Sequence, residues 1–301
     1  MRPRFAADHH RKAFVDSTAG PIGCTATLPT ATPAQHPDDS QEQPVKHSVP
    51  EFARIAEEGT ILRCQVGSGV HGLTVDDQND RDEMGVCVEP PEYVIGLRPF
   101  EQYVHRTQPE HTRSGPGDLD LTVYSLRKWT RLALDGNPTV LLPLFVPEDE
   151  LVTITPLGRD LRANARRLLS RRAGLRFLGY LRAQRDRMEG LRGGKHTNRP
   201  ELVERFGFDT KYAYHMVRLG IQGVELLETG HLTLPMPEPE RAWLLALRRG
   251  EYGRDQALQR ANELEERLAV LCETSDLPAE PDTAWADRWL VDAYQRAWAE
   301  R

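Results

Sequence analysis

The chain has 301 residues, 39 % of them hydrophobic, and its 39 Lys and Arg against 45 Asp and Glu give a formal charge of −6 at pH 7. No run approaches the ~20 apolar residues that span a bilayer, and no secretory apolar stretch follows Met1-Arg2-Pro3-Arg4. Cys24, Cys64, Cys87 and Cys272 are scattered without a CxxC pair, which argues against a zinc knuckle or a disulfide framework and points to a soluble protein in a reducing, cytoplasmic setting.

Residues 1–48 are rich in Pro, Thr, His, Gln and Asp with little apolar periodicity, and read as a disordered leader. Pro50 to Glu58 suits a short helix with Phe52, Ile55 and Ala56 on its apolar side, closed by Gly59. Thr60–Val66 is β-rich and ends at Gly67-Ser68; Glu83–Val88 reads as a second strand, stopped by Pro90-Pro91, and Tyr93–Leu97 as a short third. Asp118–Tyr124 alternates polar and apolar residues, the period of a half-buried strand. Cys64 and Cys87 fall within apolar strand-like runs and suit small core positions.

Helices dominate beyond that point. Leu126, Trp129, Leu132 and Ala133 define one, stopped by Gly136-Asn137-Pro138. Residues 157–190 hold two Arg-rich helical stretches, broken by Gly193-Gly194. Asp209 is a good N-cap for a helix reaching about Leu219. Residues 239–249, 254–272 and 283–299 complete the series. The expectation is an α+β fold: a leader over 1–48, a small mixed-sheet head over 49–150, and an all-helical tail over 151–301 for nucleotide or acceptor.

Charge is unevenly distributed. Residues 159–199 hold thirteen Lys and Arg against three acids, about +10 inside a chain of −6. Such a segment either meets a polyanion or forms a solvated helix face.

The stretch that carries chemistry is Gly67-Ser68-Gly69-Val70-His71-Gly72-Leu73, then Asp80-Arg81-Asp82-Glu83, then Leu119-Asp120-Leu121. Asp80 and Asp82, two apart on a strand, face the same way. Two carboxylates side by side repel, and a bound Mg²⁺ relieves that repulsion while also binding substrate phosphates. Asp120 offers a third carboxylate from another strand, and three such groups can hold a pair of ions. Without side-chain bulk at Gly67 a phosphate can approach the backbone, with Ser68 and the start of an expected helix as donors.

This ordered set resembles the DNA polymerase beta nucleotidyltransferase superfamily, whose pattern is GS, then DxD, then a third Asp. More narrowly, GSGVHGL with DRDEMGV, LRKWTRLALDGNPTVL and FDTKYAYHMVRLG are similar to the RNA-repair-pathway nucleotidyltransferase family (RlaP), over roughly residues 50–250. The resemblance implies that Gly67 and Ser68 hold a nucleoside triphosphate. It also implies that Asp80, Asp82 and Asp120 bind Mg²⁺, with Mn²⁺ as a substitute. The expected reaction moves a nucleoside monophosphate to an acceptor hydroxyl, with RNA as the expected acceptor. The alternatives are the same chemistry on a protein side chain, a tRNA end or a small molecule; a non-catalytic RNA-binding module; and a metal-dependent phosphohydrolase, which would leave the Gly-Ser element unused.

Lys211, His215 and Arg218 share one face of the Asp209 helix and are read as a basic stripe for the triphosphate or a phosphate backbone. Lys195-His196 can close on substrate from a loop. His71 suits either a contact to phosphate or acceptor or a structural hydrogen bond, Asn137 suits a helix stop or a nucleotide contact, and Arg81 suits a pairing with Glu83 or with a helix. Trp243, Trp285, Trp289 and Trp298, at helical spacing, suit core better than base-stacking platforms.

Overall fold

The computed structural model describes residues 47–75, 80–109, 112, 114–191 and 199–300; nearly all of the expected leader, and Lys195-His196, lie outside them. The described residues form one compact unit.

Helix α1 (Pro50–Gly59) opens with Pro at its first position, where a missing N–H costs nothing, and buries Phe52, Ile55 and Ala56. Five strands follow: β1 (Thr60–Gln65), β2 (Arg81–Cys87), β3 (Gln102–Arg106), β4 (Leu119–Ser125) and β5 (Leu151–Ile154). They form one mixed sheet in the order β3-β4-β2-β1-β5, with β2 and β4 parallel and every other pair antiparallel. Between β2 and β3, residues expected as a strand form instead the short helix α2 (Pro91–Val94). Pro91 supplies its first turn, and Tyr93 turns inward against Phe100.

Alternation along the strands sorts the sheet into two faces. On one, Cys87, Leu121 and Val123 pack with Phe52, Ile55 and Phe100 under α1. On the other, Leu62, Met84 and Val86 merge into the large core shared with the later helices. Cys64 and Cys87 are both buried, as their strand-like settings predict.

The helices are α3 (Leu126–Leu134), α4 (Pro156–Ala163), α5 (Ala165–Leu168), α6 (Arg172–Met188), α7 (Pro200–Phe206), α8 (Thr210–Thr229), α9 (Glu240–Arg248), α10 (Arg254–Thr274) and α11 (Thr283–Ala299). The Asp209 carboxylate caps α8 by accepting from the amides of Lys211 and Tyr212, at 2.9 and 3.1 Å. The helix runs to Thr229, ten residues past the expected end. It lies between α6 and α10, with Gly220 facing Leu181 and Leu264, and Gly223 facing Phe177 and Leu268. A side chain at either glycine would push these helices apart.

Two strands escape the pattern reading. β3 is an edge strand of five residues, and β5 is four residues behind the acidic run Glu148-Asp149-Glu150. β5 pairs with β1. The expected boundary after residue 150 therefore falls at the first residue of a strand of the sheet, and the segment read as wholly helical supplies that strand.

Much of the Arg-rich segment's charge is paired with carboxylates at the surface. Arg172 and Arg176 pair with Asp135; Arg182 and Arg185 pair with Glu265; Arg159 and Arg162 share Glu148; Arg167 pairs with Asp282. These pairs link α4, α5 and α6 to neighbouring elements, as a solvated helix face with its own counter-charges does. The tryptophans likewise belong to the packing: Trp289 donates to Asp160 (2.9 Å), Trp298 to the Glu89 carbonyl (3.0 Å), and Trp243 stacks on Tyr252. Asn137 accepts from the amides of Thr139 and Val140, the part of a helix stop. Among the described residues no helix is long and apolar enough to cross a membrane.

Candidate active site

The parallel pairing of β2 and β4 brings two of the predicted carboxylates together. Asp82 stands directly opposite Asp120 in the register, so both side chains leave the same face of the sheet. That face is also the one of Met84 and Val86, turned toward the helical layers. Asp80 lies two residues before Asp82, just outside the strand. Burial, then the negative charges of Asp80 and Asp120, push the Asp82 carboxyl up to about 6, against the pull of Lys211 and Arg106.

The Gly67-Ser68 bend closes the site on the β1 side. The Val66 amide donates to the Asp82 carbonyl at 2.9 Å. Gly67 lies flat against Asp82: a Cβ built there would come within 2.9 Å of the Asp82 Cβ and run into the carboxylate. Only glycine fits. The expected helix after Ser68 does not form. The Gly72 amide returns to the Gly69 carbonyl (2.8 Å) and the Leu73 amide to the Ser68 carbonyl (3.0 Å), which makes a compact turn. Any donors offered there are those of a turn, not of a helix end.

Asp120 has donors of its own. Ser114 Oγ donates to it at 2.8 Å, Gln108 Nε2 at 2.9 Å, and Arg106 lies 3.2 Å away. Among the described residues no three His, Cys, Asp or Glu side chains stand as a closed ligand set. The charge on Asp82 nonetheless marks the cluster as one that a cation would relieve. Neighbouring Glu83 points to the opposite face, buried between Arg63 and Arg81; this pairing of Arg81 matches its expected role.

Helix α8 faces the carboxylates. Burial and then the nearby Arg199 lower the Lys211 pKa, while Asp80 and Asp82 raise it, so Lys211 lies within electrostatic reach of both. The stripe is less basic than its residue types suggest. Burial, with Arg218, Lys211, Arg199 and Arg248 around it, holds His215 well below the usual histidine range and hence uncharged. Arg218 turns to His71 (3.0 Å) and to Gln222 Oε1 (2.6 Å). His71 is buried, 3 % exposed, the structural reading of the two its sequence position allows.

Sequence reasoning missed several neighbours. Arg199 sits 3.1 Å from Asp209 and 5.0 Å over the Tyr212 ring. Arg248, at the end of α9, lies 4.7 Å over the Tyr214 ring and donates to the Leu73 carbonyl. Arg106, Gln108 and Ser114 reach Asp120 from β3 and its following loop. None carries a local pattern; only the fold brings them in.

The model of the RNA repair pathway DNA polymerase beta family matches residues 42–292. Among solved structures, a nucleotidyltransferase-like protein from Exiguobacterium sibiricum 255-15 is similar at 14% identity over 74% of this chain and 72% of that one, with a TM-score of 0.25. That superposition is too loose to carry an argument. No curated protein matches. With the family model covering most of its length, the chain belongs to the RNA repair pathway DNA polymerase beta family.

Proposed function

We propose that this protein is a divalent-metal-dependent nucleotidyltransferase. It moves a nucleoside monophosphate from a nucleoside triphosphate to an acceptor hydroxyl and releases pyrophosphate. The observation that carries this reading is the register of Asp82 against Asp120 beside a glycine that cannot bear a side chain.

The donor set suits a hard cation. Asp80, Asp82 and Asp120 offer only oxygen, and the Asp82 carboxyl is raised first by burial and then by the negative charges of Asp80 and Asp120. Mg²⁺, or Mn²⁺ in its place, would supply charge for the triphosphate and make the acceptor hydroxyl more acidic. The chain's own residues then divide the remaining work. Gly67 leaves the backbone open to a phosphate, and Ser68 adds a hydroxyl donor. Lys211 balances phosphate charge from the opposite wall, and uncharged His215 adds a polar contact beside it. Asp120 gives up Ser114, Gln108 and Arg106 when it engages, and so couples the loop after β3 to loading of the site.

The acceptor we propose is RNA, on the strength of the family's description. The cations near the carboxylates, Lys211, Arg199 and Arg248, give a polyanion somewhere to lie. The test is incubation with Mg²⁺, each labelled nucleoside triphosphate and an RNA, for the wild type and Asp82→Ala. Label on the RNA and free pyrophosphate are expected from the wild type alone. Phosphate release without label would instead indicate a hydrolase.

A further inference from the structure

The turn beyond the Gly67-Ser68 bend is braced from the helical side as well as from the sheet. Three of its consecutive residues are gripped. The His71 ring meets Arg218 of α8 at 3.0 Å, and the His71 carbonyl accepts from the Met236 amide at 3.1 Å. Gly72 abuts Arg241 and Pro235, and the Leu73 carbonyl accepts from Arg248 of α9.

A guanidinium can only donate. His71 Nε2 must therefore be the acceptor, and the imidazole is neutral with its proton on Nδ1; the Gln222 amide nitrogen 3.3 Å from Nδ1 is then a second donor and makes no hydrogen bond to it. Burial and the adjacent Arg218 charge both favour that state. Arg218 also donates to Gln222 Oε1, and among the described residues its Nε is buried without a hydrogen-bond partner. The guanidinium's hydrogen bonds thus go to neutral partners inside the protein, two turns beyond Lys211, which faces the carboxylates.

We infer that Arg218 is a positioning residue: through His71 it holds the Gly67–Leu73 turn in the shape that receives phosphate, and it does not itself touch the nucleotide. This rests on the proposed nucleotidyltransferase reading for the identity of what the turn receives. The brace itself is a statement about the turn alone.

Two readouts on the full chain separate these. Hydrogen exchange of the Gly72 and Leu73 amides needs no nucleotide; His71→Ala and Arg218→Gln are each expected to speed it about tenfold. His71→Gln, which carries an acceptor oxygen near the position of Nε2, should restore the wild-type rate, so a general loss of folding is distinguished from a loosened turn. The second readout is affinity for Mg²⁺-ATP, by calorimetry. Each single variant is expected to weaken it about tenfold. The double variant His71→Ala with Arg218→Gln should be no worse than either, because the two residues act as one unit. Additive losses, or unchanged exchange in Arg218→Gln, would overturn the inference and place Arg218 on the phosphates. If wild type binds no Mg²⁺-ATP, Mg²⁺-GTP, Mg²⁺-CTP or Mg²⁺-UTP while exchange responds as expected, the brace stands and the nucleotidyltransferase reading falls.

Discussion

The arginines of α4 to α6 and the cations of α8 look alike in the sequence and do opposite things in the fold. The first set is numerous, and its charge is answered by carboxylates from elsewhere: Asp135, Glu148, Glu265 and Asp282. In the second set only Lys211 reaches Asp80 and Asp82, while Arg218 is buried against His71 and Gln222. A run of like charge says only that counter-charges must come from somewhere. Whether they come from the protein or from a ligand depends on what the fold packs opposite. Here α6 meets acids from α10 and from the end of α3, whereas α8 meets a carboxylate cluster that is itself short of positive charge.

The largest effects should follow from the carboxylate side of that contrast. Asp82→Asn and Asp120→Asn should each lower nucleotidyl transfer at least about a thousandfold, as loss of a ligand for the phosphoryl-transfer ions does. Single-turnover assays with labelled nucleotide measure this directly, and retention of a tenth of the wild-type rate in Asp82→Asn would remove the mechanism. Next in size is Lys211→Gln. Loss of one charge-assisted contact to phosphate should raise the nucleotide KM about 10- to 100-fold with a smaller change in kcat. A fall in kcat alone would mean that Lys211 acts in the transition state and not in binding.

How much of this was legible beforehand divides along the same line. The carboxylates, the Gly-Ser bend and the α8 cap are local patterns: alternation around Asp120, a two-residue step from Asp80 to Asp82, an Asp before a helical run. Each was readable because the chemistry is written within a few residues. The pairing of β2 with β4, which sets Asp82 across from Asp120, is a property of topology and could only be supposed. The short strands β3 and β5 lack the length for a periodic signal. Arg199, Arg248 and Gln108 become neighbours of the site through contacts distant in sequence. The turn after Ser68 was misjudged because a glycine-rich stretch before polar residues looks like a helix start, whereas tail contacts at His71 and Leu73 bend it back.

Acidity should tell the two sets of charges apart at intermediate size. The Asp82 carboxyl sits at about 6 in the fold against an ordinary 3.8. Between those values the folded protein binds the extra proton, so this group's contribution to stability falls as pH rises from about 4 to above 6. At pH 8 without metal, Asp82→Asn should stabilise the protein by about 1–2 kcal/mol after allowance for solvent screening. At pH 4.5 that gain should shrink. Added Mg²⁺ should stabilise wild type above pH 6 and less below it, since proton and cation compete for the same oxygens. Thermal unfolding across pH, with and without Mg²⁺, measures both; an Asp82→Asn protein less stable than wild type at pH 8 would show that the carboxylate is already well compensated.

The smallest effect belongs to α6, and it is the one that tests the contrast most directly. Arg182 and Arg185 share Glu265 across the α6–α10 contact, with Arg182 at 2.7 Å and Arg185 at 2.8 Å. Exposed pairs of this kind contribute little, so Arg182→Gln with Arg185→Gln should cost about 1 kcal/mol or less in urea unfolding. Because both cations are engaged within the protein, the double variant should leave the nucleotide KM unchanged and the salt slope of RNA binding within error of wild type. Lys211→Gln should instead lower that slope by about one. If the α6 variant lost the slope and the α8 variant kept it, the polyanion would lie along the arginine-rich helices after all, and their ion pairs to Glu265 would be contacts that RNA displaces on binding.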